Sequence, residues 1–185
     1  MKKIIRIAAP AIGMLLMFFD AEAKDLKLDV AKSNIEFSFS QLGVPMQGRF
    51  SKFDAKVFFD AKMPEKTKAE FRVDIGSVDL GDKAYNDETK SPDWLDARMF
   101  PHATFVAEKV TAVGGNKFEV TGRLSIKGVS QPIKAQFTFT DGVDQIVQGT
   151  FPMSRLGWKI GDNEWKDTSV VADEVKVRFR FITSK

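Results

Sequence analysis

The sequence has no cysteine, one histidine and one tyrosine among its 185 residues. Without cysteine there is no disulfide framework, iron–sulfur cluster or thiolate zinc site. With His102 as the single imidazole, a multi-histidine metal centre is excluded and general-base schemes lose most of their candidates. Blocks of like charge are also missing: 28 Lys and Arg are interleaved with 25 Asp and Glu, for a net charge of +3. Such a pattern offers nucleic acid no basic patch. No glycine-rich phosphate loop is present, because Gly76 to Gly81 lacks the Lys-Ser/Thr ending. Ser125 and Ser154 stand outside any nucleophile elbow, and the pairs Asp54/Asp60 and Asp87/Glu88 are spaced like exposed loop charges. These absences argue against an enzyme: we expect no catalytic residue, no metal site and no cofactor.

Long hydrophobic runs are limited to one. Lys2, Lys3 and Arg6 precede 13 residues from Ile7 to Phe19 that are almost all apolar, and Ala21-Glu22-Ala23 follows as a small-x-small site. A run of that length falls short of the ~20 residues that span a bilayer, so the segment reads as a secretory leader. The expectation is a cleaved signal peptide over residues 1–23, a single domain over 24–185, and a periplasmic location. Removing the leader lowers the net charge only to +2.

What the rest of the chain has in abundance is phenylalanine, 17 residues of it, set in period-2 alternation. Ile35, Phe37 and Phe39 alternate with polar residues, as do Phe53, Ala55, Val57 and Phe59. The same holds for Ala69 to Ile75, Phe118 to Ile126, Ile133 to Phe139 and Val175 to Phe181. Weaker strands fit Leu26–Leu28, Ala103–Val110 and Ile146–Met153. Turn chemistry separates the runs at Leu42-Gly43, Gly114-Gly115, Lys127-Gly128, Asp141-Gly142 and Gly161-Asp162-Asn163. Eight or nine short strands with one wet face make an antiparallel sheet that packs as a sandwich or closes as a barrel. Only Asp82 to Met99 breaks the rhythm. There Asp82 and Ser91-Pro92 read as helix starts, and Trp94 and Leu95 as a plug at one end of the sheet.

Several fragments recur in an order that resembles the YceI-like family of periplasmic polyisoprenoid-binding proteins. They include Leu28-Asp29, Ile35-Glu36-Phe37-Ser38-Phe39, Leu42-Gly43, Gly48-Arg49-Phe50 and Phe53-Asp54. Further on come Ser91-Pro92-Asp93-Trp94-Leu95-Asp96, Phe100-Pro101-His102-Ala103-Thr104-Phe105, Val120 to Gly128 and Pro132-Ile133. The chain departs from the family's habit at Gln41, at Asn86-Asp87, and at Arg155-Leu156-Gly157. The resemblance implies an all-β, eight-stranded antiparallel, lipocalin-like barrel with a short helical insertion around residues 82–99. It further implies non-catalytic binding or carriage of an isoprenoid lipid, an isoprenoid quinone or a similar long-chain amphiphile. Implied partners are that lipid and a transient inner-membrane protein, with no nucleic acid, and the state is a monomer or homodimer.

On this reading the lumen wall comprises Phe37, Phe39, Phe53, Phe71, Phe105, Phe118, Phe137, Phe139 and Phe179, with Phe181 on the same faces and Trp94 and Leu95 from the insertion. Phenylalanine supplies apolar area without a hydroxyl that needs a partner, and a hydrocarbon tail gains ~0.8 kcal/mol per buried CH2. Arg49, Arg155 and Trp158 are expected at the mouth, against a headgroup, with Arg98 and Lys83 as further cations and Trp165 near the rim. Alternation by itself does not separate an occupied lumen from a filled core. The alternative is therefore an envelope protein-interaction module with a packed interior.

Overall fold

In the computed structural model, residues 27–184 are described, and they form one antiparallel sheet of eleven strands. In chain order these are β1 (Lys27–Leu28), β2 (Asn34–Gln41), β3 (Val44–Phe50), β4 (Phe53–Phe58), β5 (Lys68–Asp74) and β6 (Val78–Asp79). After helix α1 (Lys83–Thr89) come β7 (His102–Gly114), β8 (Lys117–Ile126), β9 (Val129–Asp141), β10 (Asp144–Ser154) and β11 (Glu174–Ser184). The leader expected over residues 1–23 lies outside the described residues.

The order across the sheet is β4-β5-β7-β8-β9-β10-β11-β2-β3-β6, with β1 continuing beside β11 beyond the end of β2. Each alternating segment becomes a strand because its apolar face can be buried only on one side of a pleated ribbon. The sheet curls round one apolar interior, but the count differs from the expected eight strands. Among the described residues β4 and β6 are its two free edges, with no ladder between them. The reason lies in Ser51-Lys52, which form a corner instead of a hairpin. The Ser51 amide donates to Ser77 O at 3.3 Å, Lys52 N donates to Ser77 Oγ at 3.0 Å, and Asp74 N donates to Lys52 O at 3.0 Å. Buried Ser77 thus takes the hydrogen bonds a β3–β4 hairpin would have used.

The turns follow their chemistry. Leu42-Gly43 and Lys127-Gly128 both have positive φ at both residues, the hairpin geometry that matches strand twist. In the insertion only one α-helix forms. Asp82 caps it, its carboxylate accepting from the Ala84 and Tyr85 amides. The helix expected after Ser91-Pro92 is instead a set of turns. The chain reverses at Asp96, which has φ 46°, and the Leu95 amide donates back to Thr89 O at 3.1 Å. Three buried clusters fill the interior around a cavity. One gathers Ile75, Leu95, Ala103, Met153, Trp158 and Ile160, and a second Val110, Phe118, Val120, Ala135, Phe137 and Phe139. The third holds Ile35, Phe53 and Phe181.

Candidate functional site

The cavity inside the curl measures about 270 Å3. Strands from all round the sheet reach it, as do Leu80, on the link before α1, and the insertion through Thr89, Trp94 and Leu95. Its wall is hydrocarbon except for Thr67, Thr89, Thr183 and Arg155. Of the expected lumen residues, Phe37, Phe39, Phe71, Phe105, Phe137, Phe179, Trp94 and Leu95 line it, together with Phe181. Phe53, Phe118 and Phe139 do not. They are buried in the wall, where Phe53 packs 6.0 Å from Phe181 and Phe118 and Phe139 close round Phe59 at 5.2 and 4.9 Å. Phe59, which the alternation placed on an inner face without a role, thereby seals the end of the curl that carries the Gly114-Gly115 hairpin.

Three inward-facing glycines shape this wall. A Cβ on Gly48 would lie within 2.9 Å of both Cε atoms of Phe37. One on Gly122 would lie 2.6 Å from Phe105 Cζ, and one on Gly149 2.7 Å from Phe179 Cζ. Each glycine lets a phenylalanine ring lie flat along the neighbouring strand. Upright rings in those positions would occupy the space the cavity now holds.

Two of the expected mouth residues, Arg155 and Trp158, are buried instead. Arg155 is 1% exposed, and all five of its N–H groups are in use. Nε donates to Ala172 O at 3.1 Å. Nη1 donates to Ile160 O at 2.8 Å and Gly161 O at 2.9 Å, and Nη2 to Trp165 O at 2.5 Å and Val171 O at 2.8 Å. The guanidinium also lies 5.6 Å from the Trp94 ring centroid. Burial draws its pKa down, and Asp173 opposes the shift. Arg155 is thus the clamp of the 155–173 loop and has no donor left for a headgroup. A carbonyl-lined pocket for a cation cannot be read from spacing, because all five acceptors are backbone atoms. Gly161 is the one legible trace: it has φ +64° and a Cβ there would meet Arg155 Nη1 at 2.7 Å.

Trp158 is 3% exposed, with Nε1 donating to Leu124 O at 3.1 Å, so it belongs to the plug and not to a rim. Lys127 staples the two loops together, its ammonium donating to Asp93 O at 3.1 Å and Lys159 O at 2.7 Å. Trp165 packs against Trp94 with the rings tilted by 45° and their centroids 5.6 Å apart. Lys83 pairs with Asp87, and Arg98 is exposed. Arg49 lies on the outer surface, bonded to Asp79 at 3.0 Å. Among the described residues no group of three His, Asp or Glu side chains is placed to hold a metal ion. His102 opens β7 half-buried, opposite Asp74 on β5.

Comparison with known proteins agrees with this architecture. Residues 26–182 match the YceI-like domain family. A UPF0312 protein of Vibrio parahaemolyticus is 34% identical over 142 residues, 75% of each chain. Among solved structures, Burkholderia cenocepacia BcnA superposes with a TM-score of 0.82 at 41% identity, over 84% of this chain and 99% of that one. A polyisoprenoid binding domain from Saccharophagus degradans, implicated in plant cell wall breakdown, superposes with a TM-score of 0.68 at 16% identity. That match covers 86% of this chain and 97% of the other.

Proposed function

The chain belongs to the YceI-like family, and on that premise we propose that it is a non-catalytic carrier of a long-chain isoprenoid lipid, isoprenoid quinone or similar amphiphile. The carrier works in the periplasm, reached by the leader over residues 1–23, and uses no resident cofactor. The observation that carries this reading is the character of the cavity. Its single charged liner, Arg155, has every donor occupied by backbone carbonyls, so the interior presents hydrocarbon and a few threonine hydroxyls. Such a space holds an alkyl or prenyl chain by burial alone and gives a charged group nothing to pair with. A volume of about 270 Å3 is near the lower end of the ~300–1,000 Å3 usual for small-molecule sites. It admits a stretch of chain and leaves the headgroup outside or at the wall. The name of the Saccharophagus degradans domain agrees with a prenyl occupant. The rival reading, an interaction module with a filled core, has no use for this cavity.

The test is mass spectrometry of the solvent extract of the protein isolated gently from its own envelope. We expect a long-chain prenyl lipid or quinone at one per chain. An empty extract, with no saturable uptake of added ubiquinone or polyprenol, would overturn the reading.

A further inference from the structure

A carrier needs a way in for its cargo, and most of the wall is shut. The end capped by the insertion is plugged by buried Leu95, Trp158 and Ile160 and clamped by Arg155. The opposite end is closed by Phe59 against three other phenylalanine rings. Where β4 approaches β1 and β2, Phe53, Ile35 and Phe181 are 7–8% exposed and packed together. Elsewhere along the sheet, continuous ladders would have to break.

The remaining stretch is the free edge of β3. Strand β6 pairs there only with Arg49 and Phe50, so from Val44 to Gly48 this edge has no strand beside it among the described residues. An outer groove of about 310 Å3 lies at this edge. Phe37 and Leu80 line both this groove and the inner cavity, and both are only half-buried. Leu80 sits on the link between β6 and α1, next to Gly81 with φ +83°. Gly48, with no side chain, thins the wall between them.

The groove is rimmed by Arg49, Lys176 and Arg178. Arg178 is 3.7 Å from Glu36 and Arg49 is paired with Asp79, while Lys176 has no acidic side chain at ion-pair distance among the described residues. Arg180 follows on the same outward face of β11, opposite Asn34 and Gln148 and likewise without an acidic partner. Lys176, Arg178 and Arg180 thus form a column of cations about 7 Å apart. Their cross-strand neighbours, Glu36 excepted, are neutral: Ser38, Asn34, Pro152, Thr150 and Gln148.

We propose that this edge is the portal of the carrier, gated by Phe37 and Leu80, and that the cation column seats it on the anionic headgroups of a bilayer. The inference rests on the carrier reading above. In contact with the surface, the groove delivers a tail from the bilayer to the cavity without passing through water.

The experiment measures transfer of ubiquinone from vesicles to the purified chain, read as quenching of the tryptophans, of which Trp94 lines the cavity. Vesicles are phosphatidylcholine with or without phosphatidylglycerol, and uptake from detergent micelles gives the equilibrium occupancy. We expect faster transfer from the anionic vesicles, lost in high salt. Each cation near such a surface strengthens binding about fivefold, so K176Q/R178Q should weaken vesicle binding about thirtyfold and slow transfer. Occupancy from micelles should not change. R123Q/K134Q, on β8 and β9 of the outer wall, should leave transfer as it was. Leu80→Trp should slow transfer from both vesicle types, and Leu80→Ala should speed it. Equal effects of the two cation pairs, or transfer indifferent to both Leu80 variants, would overturn the proposal. A wild-type chain that takes up no quinone even from micelles would instead overturn the carrier reading.

Discussion

Replacing Gly48 by alanine tests whether flat-lying rings hold the cavity open. The new Cβ would fall onto Phe37 Cζ and within 2.9 Å of both Cε atoms, against ~3.5–4.0 Å for carbon–carbon contact, so the ring must move by more than ~1 Å or turn inward. Alanine in a strand gains ~0.5–1 kcal/mol over glycine, whereas overpacking costs ~1–3 kcal/mol. The clash is the larger effect, and the net destabilisation is about 1–2 kcal/mol. For a domain of this size that lowers the melting temperature by about 2–8 °C. A ring turned into the cavity displaces two or three methylenes of a bound chain at ~0.8 kcal/mol each, so affinity for a long-chain quinone falls on the order of ten- to fiftyfold. Thermal unfolding followed by circular dichroism and quinone titration by tryptophan quenching read both effects. Phe37→Leu in the Gly48→Ala background removes the ring and should restore binding. A Gly48→Ala chain that melts above the wild type and binds as tightly would refute the reasoning. Gly48 is the suitable position, because at Gly122 and Gly149 a Cβ would also meet the backbone at Val106 O and Gln136 O.

Two further outcomes follow from the same structure. Arg155→Met leaves five carbonyls without their donor and should cost about 3–5 kcal/mol, while Arg155→Lys, with three donors for five acceptors, should recover only part. Denaturant unfolding of the two variants checks this, and a Met variant as stable as the wild type would show that the clamp is not needed. Asp79 has its pKa lowered by the Gly81 amide first, and then by Arg49 and Asn86. A lowered folded value means that its contribution is present above the unfolded carboxylate pKa and is lost as pH falls through the folded one. Carboxyl NMR titration should therefore place the Asp79 midpoint below that of an ordinary aspartate, and Arg49→Gln should move it upward. An unchanged midpoint in that variant would remove Arg49 as a cause.

How much of the site was legible depended on how local its cause was. Alternation puts Phe37, Phe39, Phe71, Phe105, Phe137 and Phe179 on inner faces, and each lines the cavity. The same pattern applies equally to Phe53, Phe118 and Phe139, which pack inside the wall instead. Period 2 fixes which side of a ribbon a residue faces, but not how far from the axis its neighbours let it sit. Asp82 as a helix cap was legible because a cap acts on amides two and three residues away. The turns after Ser91-Pro92 were not, because that segment folds against loop 155–173, where the Gly161 amide donates to Asp93 O at 2.8 Å.

By itself, then, the sequence determined the strands other than β3 and β6, their inner and outer faces, most of the tight turns, and the exclusion of thiolate and multi-histidine chemistry. Each depends on residue type and short-range spacing. Only the tertiary structure decided that the sheet stays open between β4 and β6, that Arg155 serves a loop and not a headgroup, and that Phe37 and Leu80 stand between a groove and the cavity. Those outcomes depend on which backbone atoms and rings meet across long stretches of chain, and curling the sheet is what brings them together.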